Sequence, residues 1–136
     1  MHVRVACHRL NEIICVSLCI LCFGCNQESK ALNWYDVEQL IQSRFSDVPS
    51  VTTDALAAAL ADGRPILLLD VREVAEYAVS HLQGALHVAS IEEAEILLEM
   101  ARSDTLVVAY CSVGYRSAAF IQGLREAGVT NAVNLK

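Results

Sequence analysis

Hydrophobic positions along this chain change their period from one segment to the next, and each change marks an element. Ile66–Val71 and Leu106–Tyr110 are short, continuous apolar runs, the pattern of strands buried on both faces. Between and around them the spacing turns helical. Thr53 caps an Ala-rich helix over Asp54–Ala61 that stops at Asp62-Gly63, and Glu73–Ala78 makes a shorter one before the turn His81-Leu82-Gln83-Gly84. Ser90-Ile91-Glu92-Glu93 is a capping box opening a helix to about Ala101. Ser117 is a good N-cap for the mostly apolar helix that carries Ala118, Ala119, Phe120, Ile121 and Leu124 to Ala127 and ends at Gly128. Val51, Ala85–Val88 and Asn131–Leu135 read as further short strands. This alternation predicts an α/β fold with a mainly parallel five-stranded sheet and helices on both faces. Ligands in such folds gather at the carboxyl ends of strands, where Asp70, Arg72 and Cys111 fall.

Ahead of this domain the pattern differs. His2, Arg4, His8 and Arg9 form a basic start, and Ile13–Phe23 is an apolar run too short to span a bilayer, for which ~20 residues are needed. Residues 1–25 therefore read as a signal segment. Its close at Leu21-Cys22-Phe23-Gly24-Cys25 is similar to a bacterial lipoprotein signal, with Cys25 the candidate for lipidation, although Cys22 and Phe23 stand where an aliphatic and a small residue are usual. An uncleaved membrane anchor, ordinary secretion and a misread start codon are the other readings, and all but the last give an exported, periplasmic or membrane-anchored protein. Residues 26–47 are a linker and an amphipathic helix: Trp34, Val37, Leu40, Ile41 and Phe45 recur at helical spacing over Asn33–Phe45. The mixed charges of that helix favour packing on the domain over lying on a membrane. The domain itself is expected over 48–136.

Composition sharpens this partition. The chain has 136 residues, enough for one domain with a core and too few for two. A net charge of −6 and the lack of a basic patch argue against nucleic acid as a partner. Cys7, Cys15, Cys19, Cys22 and Cys25 all precede the domain, so Cys111 has no partner inside it for a disulfide. The spacing of the N-terminal cysteines resembles a ligand series, but the run lacks histidines and is better explained by signal composition than by a metal.

Cys111 is the candidate nucleophile. It leaves a buried strand and faces a helix N-terminus, where free N–H groups and the positive end of the helix dipole favour a thiolate. The competing reading is a small, inert hydrophobe.

Three motifs now converge. Asp70-Val71-Arg72-Glu73 with Glu76-Tyr77, then Ser80-His81-Leu82-Gln83-Gly84-Ala85, then Cys111-Ser112-Val113-Gly114-Tyr115-Arg116-Ser117 resemble the successive signatures of the rhodanese-like domain, and Leu124–Val129 with Val133-Asn134-Leu135 extends the likeness. The resemblance implies a sulfurtransferase of the thiosulfate type. Cys111 would take sulfane sulfur from a small donor such as thiosulfate, hold it as a persulfide, and release it to a thiol or cyanide acceptor; no cofactor is required. Backbone N–H groups from Ser112 to Ser117, with Val113, Gly114 and Tyr115 between, would cradle the anionic sulfur. Arg116 would bind an oxyanion donor or lower the thiol pKa, unless it is consumed in a salt bridge to a carboxylate such as Asp70. Asp70 and Arg72 read as an ion pair fixing the loop, with Arg72 alternatively reaching the donor, and His81 reads as structural. Family members continue past Asn134-Leu135 with a Gly-Gly pair, a Trp and a closing helix. This sequence stops at Lys136, so a C-terminally truncated domain is expected, with the Asn33–Phe45 helix a candidate replacement and exposed sheet surface favouring instability or oligomerisation. Two other functions stay open: a non-catalytic persulfide carrier or interaction module, and a phosphatase or arsenate reductase. The latter is the lesser reading, because related phosphatases separate cysteine and arginine by five residues, while only Ser112, Val113, Gly114 and Tyr115 intervene here.

Overall fold

The computed structural model describes residues 33–136, so the signal segment and Cys25 lie outside the described residues. Among the described residues no helix is long and apolar enough to cross a membrane. In chain order they form α1 (Trp34–Arg44), β1 (Ser50–Val51), α2 (Thr53–Ala61), β2 (Ile66–Asp70), α3 (Val74–Val79), β3 (Leu86–His87), α4 (Ile91–Glu99), β4 (Leu106–Tyr110), α5 (Tyr115–Glu126) and β5 (Ala132–Leu135). The strands make one sheet in the order β1-β5-β4-β2-β3, and every pairing is parallel.

The side-chain alternation of a strand divides the core between the two faces of this sheet. Leu69, Val107 and Ala109 join Ala94 of α4 and Ile121 and Leu124 of α5 in one cluster. Leu68, Val108 and Tyr110 point the other way and meet Leu56 of α2 and Ala85. Leu69, Ile121 and Leu124 are completely buried, each such side chain contributing about 1.5–3 kcal/mol of hydrophobic stabilisation. The first face is closed by α4 and α5, whereas on the second, where Leu56 of α2 packs, the strand residues Val51, Ile66, Leu106, Val133 and Leu135 are only partly buried.

Several boundaries differ from expectation by a residue or two. Thr52, rather than Thr53, caps α2, its Oγ1 accepting from Ala55 N at 3.2 Å. Ser90 does cap α4, accepting from Glu93 N at 3.3 Å, while the Glu93 carboxylate reaches back to Ala89 N at 2.8 Å and the helix ends at Glu99. The larger departure is α5, which starts at Tyr115 with Gly114 as N-cap, so Ser117 lies inside the first turn. Nor does α1 act as a sheet-covering helix. None of its residues is buried, and Val37 and Ile41 instead border the carboxyl ends of β1, β4 and β5, with Phe45 just beyond the helix packed edge-on to the Tyr115 ring at 5.1 Å. A stripe only two half-buried residues deep is too narrow to cover a sheet face.

Register sets the site. Asp70 and Tyr110 are paired across β2 and β4, so the loops leaving both strands emerge side by side. The fully buried Asp70 carboxylate is met by Arg72, whose Nη2 donates at 2.6 Å and whose own backbone N donates at 3.0 Å. Burial alone would raise the Asp70 pKa, and the bonds from Arg72 and Tyr110 outweigh it and lower it. Removing one member of a buried pair strands the other, which typically costs 3–5 kcal/mol. Asp70→Ala is expected to lower unfolding stability by about 3 kcal/mol, read from urea denaturation; a loss under about 1 kcal/mol would place the pair on the level of a surface ion pair.

Candidate active site

Cys111 follows β4 directly and is half-buried, among the described residues the only cysteine. Gly114 turns the chain in the left-handed region, at φ +85°, and its N–H donates to Cys111 Sγ at 3.2 Å. A side chain is strained at that φ by roughly 1–2 kcal/mol, whereas the space around the missing Cβ is ordinary, with Asn134 Nδ2 at 3.5 Å and Ile41 Cδ1 at 3.6 Å. Conformation, not crowding, requires the glycine. Ser117, fully buried one turn later, aims its hydroxyl at the same sulfur from 3.5 Å. Burial pushes the Cys111 thiol up; the Ser117 hydroxyl and the N–H groups of Ser117, Val113 and Gly114 outweigh that and leave its pKa lowered. Ser117 therefore serves the nucleophile rather than the helix end.

Asn134, from β5, braces the loop from below: its Nδ2 donates to the Gly114 carbonyl at 3.1 Å, while its buried Oδ1 has no partner. That same carbonyl accepts the first helical bond of α5, from Ala118 N at 3.0 Å.

Arg116 pairs with Glu76 and not with Asp70. Its Nη1 and Nη2 donate to the two Glu76 oxygens at 2.7 and 2.9 Å, and Ser112 Oγ donates to Glu76 Oε1 at 2.9 Å. Asp70 is unavailable because Arg72 already occupies it. Glu76 also accepts from Glu73 N at 3.2 Å, the N-cap of α3. The Arg116 guanidinium holds the Glu76 carboxyl down at about 2. Glu76 is the site residue that residue-type reasoning passed over; its place beside Tyr77 in the first signature was the available signal.

Arg72 is likewise engaged, its Nη2 also donating to the Ser80 carbonyl at 2.6 Å, and it does not line the cleft onto Cys111. His81 stacks on Tyr77 at 3.9 Å, and His87 bonds the Arg72 carbonyl at 2.8 Å, which assigns both histidines to bracing. Tyr115 packs on Phe45, outside the ring of N–H groups.

A cleft of about 440 Å³ opens onto Cys111, lined by Ser112 and Val113 of the loop and by Trp34, Val37 and Ile41 of α1. The arrangement is a lowered-pKa thiol in a cradle of hydrogen-bond donors, open to a small molecule.

Because the thiolate is the reactive form, alkylation of Cys111 by iodoacetamide is expected to rise with pH through a midpoint below the ~8.5 of free cysteine. Ser117→Ala removes one donor to the anion and is expected to move that midpoint up; an unchanged midpoint would remove Ser117 from the site. Gly114→Ala is expected to destabilise the fold by roughly 1 kcal/mol, measured by thermal unfolding.

The family model of the rhodanese-like domain matches residues 52–136. The probable adenylyltransferase/sulfurtransferase MoeZ of Mycobacterium tuberculosis is 33% identical over 89 residues, 64% of this chain and 22% of that protein. The putative sulfur carrier protein YrkF of Bacillus subtilis is 24% identical over 90 residues, 66% of this chain and 48% of that one. This chain thus spans less than half the length of both curated relatives. Among solved structures, the human single-domain sulfurtransferase TSTD1 is 31% identical with a TM-score of 0.53, covering 65% of this chain and 88% of that one. A thiosulfate sulfurtransferase from Pseudomonas aeruginosa is 26% identical with a TM-score of 0.63, covering 72% and 19%. The matched stretch begins at the cap of α2 and takes in Asp70, Glu76, Cys111, Arg116 and Asn134, and on that match the chain belongs to the rhodanese-like domain family.

Proposed function

We propose that this protein is a sulfurtransferase in which Cys111 carries the transferred sulfur. The observation that carries this reading is the convergence of Gly114 N–H and the Ser117 hydroxyl on Cys111 Sγ, at 3.2 and 3.5 Å, inside a loop with only four residues between cysteine and arginine. A ring that tight fits one added sulfur atom better than a phosphoryl group, which ranks phosphatase and arsenate reductase chemistry lower.

In the first step the Cys111 thiolate attacks the outer sulfur of the donor. The donor's bond to that sulfur breaks, and its electron pair leaves with the sulfite or thiolate remnant. The resulting persulfide is again an anion, and the same N–H groups that favoured the thiolate stabilise it. An acceptor thiolate or cyanide then attacks the outer sulfur and returns Cys111 to its starting state. Splitting one transfer into two displacements at the same atom gives ping-pong kinetics. Neither step needs a general base, because the loop already favours the ionised thiol. Arg116 and Glu76 hold the loop's shape, and Asp70 and Arg72 hold the strand end beneath it.

The N-terminal reading belongs to the same proposal: residues 1–25 direct export, with Cys25 the candidate for lipidation and an uncleaved anchor or ordinary secretion the alternatives. Its support is the basic start and short apolar run.

With thiosulfate, the protein is expected to gain the mass of one sulfur atom at Cys111 and to lose it to cyanide or a dithiol with turnover; Cys111→Ser is expected to abolish both. Unchanged turnover in that variant would defeat the mechanism. A stable persulfide that no acceptor removes would favour the carrier reading, and hydrolysis of a phosphotyrosine mimic faster than sulfur transfer would reverse the ranking of the two enzyme classes.

A further inference from the structure

The cleft over Cys111 has one wall that the family domain does not supply. The matched region starts at residue 52, whereas Trp34, Val37 and Ile41 lie on α1. Val113 and Leu135 line the same space, so apolar side chains of α1, the cysteine loop and β5 together border the sulfur. Its volume, about 440 Å³, lies within the usual range of small-molecule sites, roughly 300–1,000 Å³.

Charge narrows the occupant. Thiosulfate is a compact dianion and binds best beside a cation or in a strongly positive field, so a site without one uses it only as a poor donor. The guanidinium of Arg116 acts on Cys111 from beside the loop while its charge is offset by the paired Glu76 carboxylate, that of Arg72 is held by Asp70 and the Ser80 carbonyl, and neither lines the cleft. The charged side chains lining the cleft are Glu38 and Lys136, one of each sign, which leaves it without net charge. An apolar, uncharged cleft beside a sulfur nucleophile fits a donor whose carrier group is itself apolar.

Resting on the sulfur-transfer reading above, we propose that the donor is a small organic hydropersulfide, R–S–SH, with an apolar alkyl or aryl substituent. Trp34, Val37 and Ile41 receive the substituent and act as the specificity-determining residues. The Cys111 thiolate attacks the outer sulfur, the S–S bond of the donor breaks, and its electron pair leaves on RS⁻. The hydropersulfide proton passes to that thiolate, so the products are RSH and the Cys111 persulfide anion, with no external oxidant or reductant. Burial of R against α1 aligns the S–S bond with the loop, which raises kcat/KM for apolar donors over polar ones carrying the same reactive group.

The test compares loading of Cys111 from benzyl hydropersulfide, glutathione hydropersulfide and thiosulfate, using the full chain. Benzyl hydropersulfide is expected to exceed glutathione hydropersulfide in kcat/KM by at least about tenfold, the scale on which an apolar pocket discriminates. Val37→Asn is expected to reduce that ratio at least about fivefold by removing apolar contact. Leu40→Asn, a substitution on the same helix outside the cleft, is expected to leave it unchanged. Taking a ratio cancels any change in the ionisation of Cys111, which affects both hydropersulfides alike. Equal rates for the two hydropersulfides, preference for the glutathione donor, or an unaltered ratio in Val37→Asn would overturn the donor assignment while leaving sulfur transfer intact. Failure of all three donors to load Cys111 would overturn the sulfur-transfer reading and this inference with it.

Discussion

One carboxylate holds the loop around Cys111 in shape. Glu76 accepts both donor arms of Arg116, the hydroxyl of Ser112 and the backbone N–H of Glu73. It therefore ties the beginning of α3 to residues on both sides of the nucleophile's turn. The pair is partly open to solvent, with side chains 41% and 35% exposed, so its value lies less in net stability than in geometry. A planar guanidinium gripped at two points cannot swing. With Arg116 fixed, the N–H groups of the first turn of α5 keep their aim on the sulfur.

Beneath this clamp lies a second, drier one. Asp70 is fully buried at the end of β2, and the bonds it takes from Arg72 pull that residue's backbone across the strand end. Arg72 passes the constraint on through the Ser80 carbonyl, and its own carbonyl is held by His87. Tyr110, which pairs with Asp70 in register, uses its hydroxyl to hold Leu82 N at 3.1 Å. The two clamps consume both arginines of the site in positioning. What favours a sulfur anion is a set of hydrogen bonds and oriented dipoles, with the Arg116 charge acting on Cys111 from beside them.

Much of this was legible in the residues. β4 was found at its observed limits because a continuous branched run has one natural reading once it is short, and the parallel sheet followed from the alternation of such runs with helices. The start of α5 was misplaced for a physical reason. Ser117 has the side chain of a cap, but here Cys111 Sγ takes up the Gly114 N–H and a left-handed glycine makes the turn, so the helix begins earlier and the serine becomes part of the site. The partner of Arg116 was misassigned because Asp70 was visible as a strand-end carboxylate, while nothing local reveals that Arg72, two residues on, satisfies it first. Glu76 sits 40 residues from Arg116 in sequence, and only the sheet register brings α3 alongside the loop. The helix over Trp34–Arg44 was recognised as amphipathic, yet the surface its stripe would border depends on how the strand ends cluster.

The strand order has a consequence for how the nucleophile comes to be protected. β1 pairs only with β5 in this sheet, and among the described residues these are the first and the last strand in chain order. The first thus depends for its pairing on the last, which lies between β1 and β4. Contacts of such wide sequence separation form late and slowly. Asn134 belongs to β5, so the carbonyl at the root of the cysteine turn is braced only once β5 is in place. The tuning of the sulfur centre is therefore coupled to this long-range strand pairing rather than to the local turn alone.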